Sequence, residues 1–340
     1  MNDSLIFLLL WVLVYSYMML ASIDFGAAFY LFYGQVVLKK ENLFSPIHDY
    51  LSPLSELINI GFILLFAIIC GLSPDIILMY QSILAAPGVL AVVLILIKGT
   101  FFAMAELTQR KSLLNQISIA INGISGMLIP PVLSISMVIS EGGFTNEDHV
   151  NWLTLAKMLL TNFYFWTVMI IAVVSILYIS AMYFVGFSHL YSKDELSSGM
   201  RNFALFWSMP TVLASGLTFL GLENQNPDHF MRTLDHYWMF LLSLLCLLVA
   251  VTLIFIKHAY RLSFLAVMMQ YYFALMGYTQ THMPYIIYPD VKLTSNISSR
   301  INSGWYVSLI FLIALAAPIL IIALKNRVIR KNLQFKQSIS

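Results

Sequence analysis

Read for hydrophobic and polar positions alone, the chain is a series of long apolar runs separated by short polar stretches. The runs fall at about 5–33, 57–73, 76–104, 113–139, 155–187, 203–222, 237–256, 262–281 and 304–324. A helix needs ~20 apolar residues to span a bilayer core of about 30 Å, and each run is near that length or longer. None shows the sustained alternation of a membrane barrel strand. Backbone groups in lipid must be satisfied within their own segment, so unbroken runs read as helices. The pattern predicts an all-α integral membrane protein of about nine transmembrane helices. Only Leu72-Ser73-Pro74-Asp75 parts the second run from the third, a tight turn that makes those helices antiparallel neighbours. Residues 1–340 read as a single membrane domain. Helices 1–4 cover about 5–139, helices 5–9 about 155–324, and a cytoplasmic tail 325–340.

Composition agrees with lipid as the main solvent. The 340 residues are 60% hydrophobic and 10% charged, against about 25% charged in soluble domains. A net charge of +2 gives nucleic acid nothing to hold. Cys70 and Cys246 sit in separate apolar runs and form neither a Cys-x-x-Cys pair nor a disulfide framework. Met1-Asn2-Asp3-Ser4 lacks the basic segment of a cleavable signal, so the first run is expected to stay as a span.

Lysine and arginine in the loops set orientation. With the N-terminus outside and the C-terminus cytoplasmic, the inside loops hold Lys39, Lys40, Arg110, Lys111, Lys193, Arg201, Lys257 and Arg261. The inside tail adds Lys325, Arg327, Arg330, Lys331 and Lys336. Outside fall only Lys157, Arg232, Lys292 and Arg300, among loops that are acidic or neutral, as in Glu141–Asp148. Adding or removing one helix scrambles this asymmetry.

Ionisable groups inside spans are costly, and are usually functional or paired. Four gather in the first three helices: Asp24, Glu56, Lys98 and Glu106. Asp24 lies about 20 residues into the first run, toward the cytoplasmic side. Glu56 opens the second helix, with Asn59 close to one turn further on. Lys98 precedes Glu106 by about two turns on the third. Carboxylates and an ammonium in such a place could load and pass protons from the cytoplasm, because burial and charge oppose each other in setting their pKa. A structural reading stands beside this one. Glu56 and Glu106 also suit solvated helix ends, and Asp24 and Lys98 also suit paired structural charges.

The histidines are His48, His149, His189, His229, His236, His258 and His282, all in loops or at helix ends. None forms the mid-span axial pair that a buried electron-transfer haem needs. The chain is therefore expected to ligate no haem and to carry no metal site or catalytic centre of its own. Gly123 and Gly126 on the fourth helix mark close helix packing, and Pro130-Pro131 and Pro210 mark bends. Pro284 to Pro289, with tyrosines between, reads as a rigid extended connector on the outer face.

Three of these segments resemble a known family. Ala21-Ser22-Ile23-Asp24-Phe25-Gly26 resembles the first-helix motif of cytochrome bd quinol oxidase subunit II. Ser52-Pro53-Leu54-Ser55-Glu56-Leu57-Ile58-Asn59 resembles the segment opening its second helix, where the acid is followed three positions later by Asn. Pro284-Tyr285-Ile286-Ile287-Tyr288-Pro289 resembles its connector before the last helix. Length and span number agree over the whole chain. The sequence departs from the family at Ser55, where Trp is usual, and at Lys98, near a family Arg; an ammonium keeps the charge without the planar fork.

The resemblance implies a multi-pass protein of the bacterial cell membrane, paired with a haem-bearing subunit I and often a small single-helix subunit. Subunit I would ligate haems b558, b595 and d and bind quinol. The complex would oxidise quinol and reduce oxygen to water with cytoplasmic protons, as respiratory electron transport. This chain would support the haem-bearing subunit and, through Asp24 and Glu56, part of a proton path; a bound quinone is compatible with it. Two other readings of the residues stay open: a proton-coupled secondary transporter and a purely structural membrane subunit.

Overall fold

A computed structural model of the chain describes residues 3–51, 58, 61–65, 74–109, 112–144, 151–190, 194–292, 312–313 and 316–327. Helix α1 (Asp3–Phe32) runs on into a π-helical turn, Tyr33–Val37. It is followed by α2 (Glu41–Leu51), α3 (Pro74–Leu107), α4 (Leu113–Ser140), α5 (Trp152–Thr161) and α6 (Phe163–Leu190). Next come α7 (Asp194–Gln225), α8 (Pro227–Asp235), α9 (Tyr237–Phe255) and α10 (Tyr260–His282). Strands β1 (Tyr285–Ile287) and β2 (Val291–Lys292) form a small antiparallel hairpin. Residues 316–327 are also helical.

Among the described residues the fold is all-α apart from that hairpin. Six helices among the described residues are long and apolar enough to cross a membrane: Leu10–Val37, Ile83–Leu107, Leu113–Ser140, Phe163–His189, Asp194–Gln225 and Tyr237–Phe255. They correspond to the first, third, fourth, fifth, sixth and seventh expected runs. The eighth run is a helix of the expected extent, α10, but a more polar one, with Ser263, Gln270 and Thr281 buried along it. The second run lies mostly, and its turn to the third partly, outside the described residues, as does about half of the ninth run.

The expected fifth run is two helices. Asn162 takes an extended conformation between α5 and α6, and its Oδ1 accepts from the Phe165 N–H at 3.1 Å. An Asn side chain that satisfies a free helix-start N–H outcompetes continuation of the helix. By contrast, Pro87, Pro130, Pro131 and Pro210 all lie inside helices that run unbroken through them.

Helix α1 is the centre of the packing, held against α4, α6, α2 and α10. Its most apolar window is 72% buried, against 17% for α3 and 22% for α7 and α9, so those three helices turn their apolar faces outward. Glycines set the closest approaches. A Cβ on Gly26 would run into Ser180 Oγ of α6, and one on Gly123 of α4 would lie 2.9 Å from the Ala28 carbonyl of α1. Two large core tyrosines have their hydroxyls satisfied by carbonyls: Tyr15 donates to Met268 at 2.7 Å and Tyr30 to Leu177 at 2.9 Å.

The helix ends define two faces. At one end, Lys40 pairs with Glu195 at 3.1 Å. There too Arg201 donates to the Ile254 and Phe255 carbonyls, both at 2.9 Å, closing the C-terminus of α9 where a cation is favoured. Lys325, expected in a solvated tail, is instead buried, with its ammonium 3.4 Å from the Tyr50 ring centroid. At the other end the connector after α10 folds back as the hairpin rather than running out extended. Tyr288 N–H donates to Ser140 O at 2.9 Å, and Ile287 is buried in the adjoining core.

Candidate functional site

The first polar site lies inside the bundle. Lys98 Nζ donates to Asp24 Oδ2 at 2.9 Å, with both residues almost wholly buried. The ammonium also stands 5.4 Å from the Phe25 ring centroid, a distance at which the ring face attracts a cation. Gly126 of α4 makes room: a Cβ there would come 3.4 Å from Lys98 Cε. The three residues Asp24-Phe25-Gly26 thus divide the work, since Asp24 pairs with Lys98, Phe25 backs the ammonium and Gly26 admits α6. Because the π-helical turn carries the helix on to Val37, Asp24 falls halfway along the span Leu10–Val37, deeper than a count from Leu5 suggests.

The other expected residues are not all brought here. Glu106, at the end of α3, is 3.3 Å from His48 of α2, and both are partly exposed, as a helix-end pair would be. Glu56 and Asn59 lie outside the described residues.

The second site was not foreseen. At the far end of α4, Glu141 is buried and faces His229, at the start of α8, and His282, at the end of α10, both also buried. His229 Nδ1 lies 2.9 Å from each carboxylate oxygen, and His282 Nδ1 lies 3.3 Å from Oε1. Tyr278 O–H donates to Oε1, and Asn226 Nδ2 donates to Oε2 at 2.9 Å. Asn226 also caps α8, its Oδ1 accepting from the His229 N–H at 3.0 Å. Burial pushes the Glu141 carboxyl up, but the hydrogen bonds and charges of His229 and His282 outweigh it and hold the group well below the usual carboxylate range. The sequence reading put the histidines in loops or at helix ends and Glu141 in an outer loop, with no role for any of them. Asn226-Pro227 is a helix-start signal that could have put His229 on a first turn; nothing local shows that three distant ends converge.

The two sites are well separated. Glu141 lies 15 residues beyond Gly126 on α4, about 22 Å at 1.5 Å per residue.

Fold and first site together define a class: multi-pass helical membrane proteins with an ion pair sealed between transmembrane helices. The family model described as "Cytochrome bd terminal oxidase subunit II" matches residues 2–326, and the chain belongs to that family. It is similar to a protein of Bacillus subtilis (strain 168) named as a candidate cytochrome bd menaquinol oxidase subunit II, with 24% identity over 310 residues, 87% of each chain. It is also similar to a solved chain of the bd oxidase from Geobacillus thermodenitrificans. There the TM-score is 0.74 and the identity 29%, over 98% of this chain and 99% of that one. The chain is thus a multi-pass bacterial membrane protein and a subunit of a haem-containing quinol oxidase, an oxidoreductase in which it partners subunit I.

Proposed function

We propose that this chain is the non-haem-ligating subunit of the oxidase and carries part of its proton supply. In this reading subunit I holds all the haems and the quinol site, and reduces oxygen to water. A small single-helix subunit completes the assembly, and this chain has room to bind a quinone. The chain crosses the membrane nine times, with its N-terminus outside and its tail in the cytoplasm, as one membrane domain. Protons enter by the polar residues near the cytoplasmic ends of the second and third helices, Glu56, Asn59 and Glu106, and reach Asp24, which is paired with Lys98.

The buried Lys98–Asp24 contact at 2.9 Å is the observation that carries this reading. A charge pair closed off from water is expensive unless paired and hydrogen-bonded, and it stands where a proton from one face would need a halfway station. Its closure also favours a second reading, in which the pair is a clamp between α1 and α3 and conducts nothing. Turnover of the purified complex separates the two. Asp24→Asn, and likewise Glu56→Gln, is expected to cut quinol-driven oxygen consumption severalfold or more while haem content stays near normal. Normal turnover in both variants, at normal haem content, would leave only the clamp.

A further inference from the structure

We propose that Glu141, His229 and His282 form a binding site for one divalent transition-metal ion, of which Zn2+ is the best-fitting representative. Their donor atoms all lie within 4.8 Å of one another, and all three residues are buried. Two imidazoles and one carboxylate make a common three-ligand set for zinc, with a fourth position left for water.

The hydrogen bonds around the cluster put a hydrogen on the outer nitrogen of each ring. Thr281 hydroxyl donates along its own helix to Gly277 O at 2.9 Å. It therefore accepts from His229 Nε2, 2.8 Å away, so that nitrogen carries the hydrogen. His282 Nε2 lies 3.4 Å from the Ile286 carbonyl, which can only accept, so it carries the hydrogen too. An imidazole that keeps its hydrogen on Nε2 is the form that binds a metal through Nδ1, giving up any proton there as the metal enters. Both Nδ1 atoms point at the same carboxylate, itself only an acceptor.

The groups around the carboxylate are served unequally. Tyr278 O–H donates to Oε1, Asn226 Nδ2 donates to Oε2, and His229 Nδ1 stands 2.9 Å from both. The atom left out is His282 Nδ1, which is buried and makes no hydrogen bond. A cation placed among the three donors takes both lone pairs and the carboxylate charge at once. Zinc bonds of about 2.0 Å put ligand atoms about 3.3 Å apart in a tetrahedron. The separations of 2.9 and 3.3 Å need open by only a few tenths of an ångström. The outer groups are those that orient metal-ligating histidines: an oxygen acceptor on each Nε2, and Asn226 on the carboxylate. Tyr278 also lies against the His282 ring, with centroids 5.6 Å apart and planes within 9°. Bound there, the ion would tie the ends of α4, α8 and α10 beneath the hairpin.

The test uses the purified oxidase complex, stripped with a chelator, reloaded with Zn2+ and passed through a desalting column. Metal content is counted by mass spectrometry, with haem iron as the internal standard. About one zinc per complex is expected, with a zinc-edge absorption spectrum showing imidazole and oxygen ligands and no sulfur. Thr281→Val keeps all three ligands and removes the acceptor on His229 Nε2, and should weaken zinc binding 10–100-fold. His282→Gln and Glu141→Gln should abolish retention. A wild-type complex that retains no zinc, nor cobalt or manganese offered in its place, overturns the proposal without any variant. So does zinc retained equally by the His282→Gln and Glu141→Gln complexes, which would mark an adventitious surface site.

Discussion

At the residue scale, Lys98 and Asp24 are worth more as a pair than either alone. Removing one partner from a buried ion pair leaves an uncompensated charge and costs about 3–5 kcal/mol, whereas replacing both with apolar groups is often near neutral. Lys98→Met is therefore expected to lower the yield and melting temperature of the complex sharply. The double variant Lys98→Met, Asp24→Leu should recover most of that loss. If the relay reading holds, the recovered complex still turns over slowly; if the pair is only a clamp, activity returns with stability. Thermal melting followed by haem absorbance, beside oxygen consumption, reads both. Asp24 and Lys98 were each legible in the sequence, though not as partners, because an ionisable residue in an apolar run stands out whatever it meets. The Glu141 cluster was not, because each member alone looks like an ordinary loop residue. His229 is 88 positions from Glu141, and only the folding of α8 and α10 over the end of α4 excludes water from them.

At the element scale, the helices are held by close approach as much as by side-chain fit. Gly26→Ala would press a methyl group into Ser180 and within 3.0 Å of the Ile176 carbonyl. Overpacking of this kind costs about 1–3 kcal/mol, and because α6 must shift against α1, the melting temperature of the complex should fall by several degrees. Gly88→Ala, where an added Cβ meets nothing within 4 Å, is the matched control and should leave melting unchanged. The apolar runs showed where helices lie because hydrophobic length is a direct requirement of the bilayer. The break between α5 and α6 escaped that reading, since Asn162 interrupts no hydrophobicity and acts through one hydrogen bond. Its Nδ2 also reaches Gln225 Oε1 at 2.7 Å, a contact between elements that no local pattern encodes.

At the scale of the whole molecule, the two helix-end faces should lie on opposite sides of the membrane. Lys257 and Lys292 are exposed at opposite faces. Cysteine placed at 257 should react with an impermeant thiol reagent only in inside-out vesicles, and cysteine at 292 only in right-side-out ones, over the background of Cys70 and Cys246. Labelling of both from one side would break the nine-span arrangement. The fold also imposes an order in time. Asp24 and Lys98 are 74 residues apart in the chain; at about 5–20 residues per second of synthesis, the ammonium follows the carboxylate by roughly 4–15 s. Tyr15 waits longer for Met268, 253 residues on, about 13–50 s at the same pace. For those seconds the nascent first helix carries its acid without its base, and has to keep it protonated or sheltered by the insertion machinery. A ribosome stalled before residue 98 would leave a first helix whose Asp24 can never meet Lys98.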